Sequence, residues 1–283
     1  MRHQEDLMAK LPSEISVRQK LATLPLALLL LVVALNISWP LTSGDDRIQV
    51  TVLGVLLFFA ESKIHAFVSR GTRFVTTFVL VVLPTAFLVE FLGVHTGWPF
   101  GDYNYSEKLG WQLFGVPLLI PLAWFMMMYP CWIIANKITS GRWQRIAIAS
   151  WLMATWDLYL DPQMVNEGYW LWQDGSGNVT TEIPISNFVG WLLASAFIYL
   201  LVELLLPKGV GRVNDETLIT EQVPYLAVAW VWLGSFVANI GWFGPFLNQP
   251  GTALMGLIGM GLVLVPFYWK NRDELFSSEI AET

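Results

Sequence analysis

The sequence predicts an all-α fold: a polytopic transmembrane helix bundle of about eight spans with both termini in the cytoplasm. The first observation is composition, because 55% of the 283 residues are hydrophobic and 13% are charged, whereas soluble domains carry about 25% charged residues. The second is a series of apolar segments, most of them near the ~20 residues that a helix needs to cross a bilayer. The third is the distribution of Lys and Arg among the predicted loops, which fits one orientation.

Eight apolar segments are predicted as spans. In chain order they cover residues 23–39, 48–68, 74–92, 111–136, 144–160, 184–206, 223–246 and 252–269. The fifth is short, and the seventh and eighth are interrupted by Gly and Pro. Pro162 is predicted to end the fifth span, because helical geometry is disfavoured at the residue before a proline.

The basic residues support both the number of spans and their direction. With the N-terminus in the cytoplasm, 14 of the 16 Lys and Arg residues fall on the cytoplasmic side, and only Arg47 and Lys108 fall outside. This is the asymmetry that the positive-inside rule expects. The chain therefore divides into a cytoplasmic tail (1–22), a transmembrane domain (23–270) and a second cytoplasmic tail (271–283).

Two stretches on the predicted outer side have an unusual composition. They are "HTGWPFGDYNY" (95–105) and "TWDLYLDPQMVNEGYWLWQDGSG" (155–177). Both combine carboxylates with Trp and Tyr, and Gly and Pro constrain the backbone. Trp and Tyr are common at any membrane interface, but an interfacial belt does not explain the carboxylates.

The carboxylates are predicted to meet in one outer pocket. Asp157 and Asp161 are four residues apart and share a helix face. Glu90 lies at a matching depth in the third span, and acidic residues inside spans usually face the bundle interior or a wet cavity. Asp102 lies just above, and Asn187 lies near the outer end of the sixth span.

Such a cluster is suited to acid catalysis. A buried carboxyl beside a second one can keep its proton near neutral pH and act as a general acid. The structural alternative is that Asp161 caps a turn in water and that Asp157 bonds to a neighbouring helix. The pattern alone leaves both interpretations open.

Several other chemistries are disfavoured. His3, His65 and His95 are isolated, which argues against a histidine-based metal site, and Cys131 has no second cysteine with which to form a disulfide. There is no Gly-rich nucleotide fingerprint after a strand, and no Lys within the last spans to carry a retinal Schiff base. We expect no cofactor, no metal and no nucleic-acid partner. A pocket of carboxylates and aromatics in a membrane fits acid catalysis on an isoprenoid.

The sequence also resembles a known family. The runs "EFLGVHTGWPFGDYNYSEKLGWQLFGVPLLIPLAWFMMMY" (90–129) and "ATWDLYLDPQMVNEGYWLWQ" (154–173), followed by "IPISNFVGW" (183–191), are similar to the membrane carotenoid biosynthesis family. That family includes carotenoid 1,2-hydratases of the γ-carotene and bisanhydrobacterioruberin type. The resemblance covers residues 48–270. It implies addition of water across the terminal C1–C2 double bond of an acyclic (ψ) end group, without a redox cofactor or ATP.

The chemistry of that reaction assigns hypothetical roles. Asp157 is the expected proton donor, and Asp161 or Glu90 is expected to hold the water. Aromatic faces would stabilise the tertiary cation, with about 0.5–2 kcal/mol from each ring. The predicted substrate-binding residues are Trp98, Asp102, Tyr103, Tyr105, Trp156, Tyr159 and Asn187.

The expected partners are a carotenoid substrate, the lipid bilayer of the cell membrane and other carotenoid biosynthesis enzymes. Three alternatives remain at this point. An isoprenoid cyclase or isomerase would use the same protonation and lose a proton instead of adding water. A non-catalytic carotenoid-binding protein would need the aromatics but not the carboxylates. A transporter would favour paired broken helices, of which "GWFGPFLNQPG" is a single instance.

Overall fold

Eight α-helices make up most of the chain in a computed structural model, which describes residues 17–206, 222–240 and 249–273. The described helices are α1 (Leu24–Ser38), α2 (Gly44–Arg70), α3 (Thr72–Thr96), α4 (Leu119–Ile138), α5 (Arg142–Asn166), α6 (Ile185–Leu205), α7 (Val223–Asn239) and α8 (Pro250–Lys270). The predicted all-α polytopic bundle is confirmed.

Six helices of the described ranges are long and apolar enough to cross a membrane. They are α1 with the residues before it, α2, α3, α4, α6 and α8. The helix α7 has only 17 residues, and α5 carries Arg142, Arg145, Asp157 and Asp161. The predicted tails fall largely outside the described residues, as does the end of the seventh predicted span.

A small amount of β-structure lies at one end of the bundle, which we call the loop end. The strands are β1 (Tyr103–Tyr105), β2 (Gln112–Leu113), β3 (Val116–Pro117), β4 (Trp170–Gln173) and β5 (Val179–Thr180). Strand β4 pairs antiparallel with both β1 and β5, and β2 pairs with β3 as a separate hairpin. The loop end is thus an ordered cap on the bundle.

The hairpin corrects one predicted boundary. The fourth span was expected to begin at residue 111, but α4 begins at Leu119. Phe114 and Gly115 both have positive φ angles, which a continuous right-handed helix does not allow. Residues 112–117 are therefore a tight turn, although their composition is apolar.

Pro162 does not end α5, contrary to the expectation from sequence. The helix continues through it to Asn166. A proline removes one N–H donor from the helix, and neighbouring elements can support the helix around it. Here the Asp161 side chain accepts hydrogen bonds from Trp170 and Trp172 of β4, which ties this turn to the cap.

Helix α4 forms the centre of the bundle. It packs against α2, α3, α5 and α7, and most of its side chains are buried, including Trp124, Met127 and Tyr129. A helix that is apolar around its whole circumference is expected in such a position. Its N-terminal half forms the back wall of the cavity described next.

Candidate active site

A cavity of about 110 Å³ lies inside the bundle just below the loop end. Helices α2 to α6 and the loop segments supply its wall, which is mainly aromatic and aliphatic. Four buried side chains with carboxyl or amide groups line it, namely Glu90, Asp157, Asp161 and Asn187. The carboxyl groups of Glu90, Asp157 and Asp161 therefore converge on one cavity, whereas Asp102 does not line it.

Strands β1 and β4 cover the cavity as an aromatic roof, formed by Tyr103, Tyr105, Trp170 and Trp172. The antiparallel register places Tyr103 opposite Trp172 and Tyr105 opposite Trp170. Successive strand residues point to opposite faces, so these four rings face the cavity, whereas the intervening Asn104 is exposed.

Glu90 is saturated with hydrogen-bond donors. Its Oε2 atom accepts from the hydroxyls of Tyr103 at 2.6 Å and Tyr105 at 2.8 Å. Its Oε1 atom accepts from Trp124 Nε1 at 2.8 Å. Three donors on one carboxyl group match the requirements of the ionised form, which only accepts hydrogen bonds.

The two tyrosines of β1 are fixed as donors. Burial raises the pKa of both phenols well above the usual range, and the charge of Glu90 raises it further. Tyr103 and Tyr105 therefore stay protonated near neutral pH, and their hydroxyls donate hydrogen bonds to Glu90. The roof and α3 are joined through this carboxylate.

Asn187 bridges the two aspartates of α5. Its Nδ2 atom donates to Oδ2 of Asp157 and to Oδ2 of Asp161, each at 2.7 Å. Asp161 also accepts from Trp170 Nε1 at 2.5 Å and from Trp172 Nε1 at 3.1 Å.

Asp157 differs from the other two acids in one respect. Its Oδ1 atom is buried and has no hydrogen-bond partner, although the residue lines the cavity. A bare carboxylate oxygen in an apolar site is costly, whereas the O–H of a carboxylic acid directed at a ligand is not. Asp157 is thus the group with a free position for chemistry.

Stacked tryptophans form the apolar wall. Trp124 and Trp191 lie parallel, with their ring centroids 4.2 Å apart. Trp156 meets Trp191 edge to face at 5.9 Å. All three line the cavity, so they offer π faces beside the carboxyl groups.

The structure brings together seven of the ten residues predicted from sequence. The cavity wall contains Glu90, Tyr103, Tyr105, Trp156, Asp157, Asp161 and Asn187. The other three, Trp98, Asp102 and Tyr159, lie outside it.

Each of these three has a structural reason for its position. Trp98 is 65% exposed, because the turn after Gly97 directs Phe100 inward instead. Asp102 is exposed, and its backbone oxygen accepts from the amide of Gln173. Tyr159 is two residues from Asp157, about 200° around the helix, and its hydroxyl reaches Ala253 of α8.

Sequence reasoning missed five aromatic wall residues, which are Phe100, Trp124, Trp170, Trp172 and Trp191. A signal existed for two of them, because "YNY" and "WLWQ" both alternate with the period of a strand. Trp191 also lies one helical turn after Asn187. Trp124 carried no such signal, since its segment is apolar throughout.

The described residues contain no group of three or more His, Cys, Asp or Glu side chains arranged to hold a metal ion. The three acids of the cavity are instead bonded to aromatic and amide donors. Their arrangement supports proton transfer at an apolar ligand.

Comparison with known proteins places the chain in a family. A family described as carotenoid biosynthesis protein matches residues 50–267. The chain belongs to this family. Every residue of the cavity wall, from Thr51 to Trp191, lies inside the range matched by the carotenoid biosynthesis family.

One curated relative is a bisanhydrobacterioruberin hydratase from Haloarcula japonica. It is 26% identical over 203 residues, which are 69% of this chain and 62% of that protein. The alignment thus spans less than two thirds of the length of this relative. No solved structure matches the chain.

Proposed function

We propose that this protein is a carotenoid 1,2-hydratase that adds water across the terminal C1–C2 double bond of a ψ end group. The observation that carries the proposal is the free Oδ1 atom of Asp157 in an aromatic cavity. Family membership and the hydratase relative support a carotenoid as the substrate. The volume of about 110 Å³ suits the end of a polyene and not the whole molecule.

The first step is proton transfer to the alkene. Asp157 gives the proton of its carboxyl group from Oδ1 to C2, and the π electrons form the new C–H bond. Asn187 holds Oδ2 and so fixes the direction of Oδ1. A positioned general acid typically contributes about 10²–10⁴-fold to a rate.

The resulting tertiary cation at C1 is stabilised by its surroundings. The faces of Trp124, Trp156 and Trp191 attract a cation with about 0.5–2 kcal/mol per ring. Glu90 supplies a fixed negative charge in the same cavity, and its three donors hold it in place. A charge that is already oriented needs no rearrangement during the reaction.

Water then adds to the cation. Asp161 and Asn187 position the water, whose oxygen forms a bond to C1, and its surplus proton returns to the Asp157 carboxylate. The product is a tertiary alcohol, and the enzyme recovers its starting state. Atoms and charges balance without a redox cofactor.

The remaining expectations extend this proposal. We assign the activity to a single transmembrane domain (23–270) in the cell membrane, with both termini in the cytoplasm and the cavity in the outer half of the bilayer. Other carotenoid biosynthesis enzymes that deliver the substrate or use the alcohol are the proposed protein partners.

Expression in a host that makes lycopene or γ-carotene tests the function. A gain of the mass of one water molecule per converted end group is expected. An isomer or cyclised product of unchanged mass would contradict hydration and favour the same protonation followed by proton loss. Recovery of unmodified pigment bound to the protein would favour a carotenoid-binding role.

A further inference from the structure

The cavity is closed at the loop end. The aromatic roof covers it, and its indole and phenol groups are bonded to Asp161 and Glu90 below. A hydrocarbon chain coming from this direction would have to separate strands β1 and β4 from both carboxyl groups.

The side formed by α3 and α6 is closed as well. These helices pack against each other, and their cavity residues Glu90, Asn187 and Trp191 are all buried. The loop between α3 and β1 lies close to α6 at Gly190. A Cβ added there would be 2.7 Å from Phe100 Cδ1 and 2.8 Å from the Pro99 oxygen. This contact leaves no room for a chain to pass.

The side between α2 and α5 is different. Both helices supply cavity wall and both pack against α4, but within the described residues they make no extended contact with each other. The wall residues Thr51 and Val55 of α2 and Leu160 of α5 are partly exposed. Helix α7 lies on the same side, because it packs against α4, α5 and α1, so the partly exposed wall residues lie in a gap bordered by α2, α5 and α7.

Two polar contacts join the loop end of α2 to the residues that follow α5. Arg47 forms an ion pair with Glu167 at 2.6 Å, and the hydroxyls of Thr51 and Tyr169 are 2.9 Å apart. Both contacts lie on the loop-end side of Val55. They close the gap at the loop end, so any opening at Val55 is directed towards the lipid beside the bundle.

We propose that the gap between α2 and α5 is a lateral entrance for the polyene, with Val55 and Leu160 at its mouth. The ligand class, an unbranched or methyl-branched conjugated hydrocarbon, rests on the proposed function. A polyene of this kind is dissolved in the hydrocarbon core, which is about 30 Å thick, so a sideways apolar opening receives it without transfer through water. The end group enters the cavity, and the rest of the chain remains between α2 and α5 and in the lipid.

Bulky substitutions at the mouth test the entrance. Val55→Trp and Leu160→Trp should each lower kcat/KM for membrane-dissolved lycopene by about tenfold or more, because a narrowed mouth slows association. Leu56→Trp is the matched control on α2, since Leu56 is 43% exposed and does not line the cavity. It should stay within about twofold of the wild type. Near wild-type values for both mouth variants, with an active wild-type protein, would overturn the entrance.

Labelling of Val55→Cys tests the same site without catalysis. The native Cys131 is fully buried, so a long-chain alkyl maleimide in the bilayer should react with the introduced thiol. Lycopene should slow this reaction and leave the labelling of Leu56→Cys unchanged.

The two tests separate failure of the entrance from failure of the proposed function. Hydration by the wild type without lycopene protection at Val55→Cys would overturn the entrance alone. Protection without hydration would support the entrance and contradict the hydratase. Absence of both would overturn the two proposals together.

Discussion

Asn187 Nδ2 lies 2.7 Å from Asp157 Oδ2, and this hydrogen bond leaves the Oδ1 atom of the same carboxyl without a partner. The second hydrogen of the amide group goes to Asp161. One amide thus orients two carboxyl groups that have different surroundings. Asp161 is held by two further indole donors, whereas Asp157 keeps one oxygen for a ligand.

Removal of the proposed donor should abolish hydration. Asp157→Asn keeps the size of the side chain but has no acidic proton, so product formation should fall by about 10²–10⁴-fold. Product from equal amounts of membrane-inserted protein is the measurement. Asp102→Asn is the matched control, because Asp102 is exposed outside the cavity, and it should retain wild-type activity.

Glu90 is expected to act through its charge. Glu90→Gln removes the charge and places an amide N–H₂ among three donors, so kcat should fall by about 10²–10³-fold, as for other lost electrostatic contacts. The thermal midpoint in detergent should fall too, because buried donors lose their acceptor. Tyr105→Phe removes one donor and keeps the carboxylate, so its effect on kcat should be smaller. A Tyr105→Phe loss equal to that of Glu90→Gln would contradict the role of the charge.

The stacked tryptophans should raise kcat because their aromatic faces stabilise the cation. Trp191→Leu should lower kcat by about 2- to 30-fold, which corresponds to 0.5–2 kcal/mol from one ring. Trp191→Phe keeps an aromatic face and should recover much of this loss. Equal rates for the Leu and Phe variants would show that Trp191 only fills space. Trp143→Leu is the control, because Trp143 is 70% exposed.

Tyr159 should behave as a packing residue between α5 and α8. An added Cβ at Gly256 would overlap the Tyr159 ring, so Gly256→Ala should destabilise the protein by about 1–3 kcal/mol. Gly251→Ala, in the same helix, meets nothing within 4 Å and should leave the thermal midpoint in detergent almost unchanged. An unchanged midpoint for Gly256→Ala would show that α8 does not press on Tyr159.

Hydropathy was sufficient to predict the helices, because the length of an apolar segment directly reflects the thickness of a bilayer. It failed at residues 111–118, where an apolar hairpin has the same composition as a span. The backbone preference before proline gave a wrong helix end at Pro162, because contacts from Trp170 and Trp172 to Asp161 hold this turn in place.

The polar part of the site could be predicted and much of its aromatic wall could not. Carboxyl groups inside apolar segments stand out in a sequence, so Glu90, Asp157 and Asp161 were found by depth alone. Trp124 does not stand out, because its role depends on a hydrogen bond to Glu90 across two helices. Trp98 was chosen for its composition and lies outside the cavity, because the backbone turn decides which ring of the loop points inward.

The most direct test of the central claim is hydration in D₂O by isolated membranes that contain the protein and lycopene. Donation from an exchangeable carboxyl group to C2 predicts one carbon-bound deuterium at C2 for each hydrated end, located by mass spectrometry and NMR. The Asp157→Asn membranes should yield no such product. A wild-type alcohol without carbon-bound deuterium at C2, or an Asp157→Asn protein that forms the deuterated alcohol at the wild-type rate, would contradict the account.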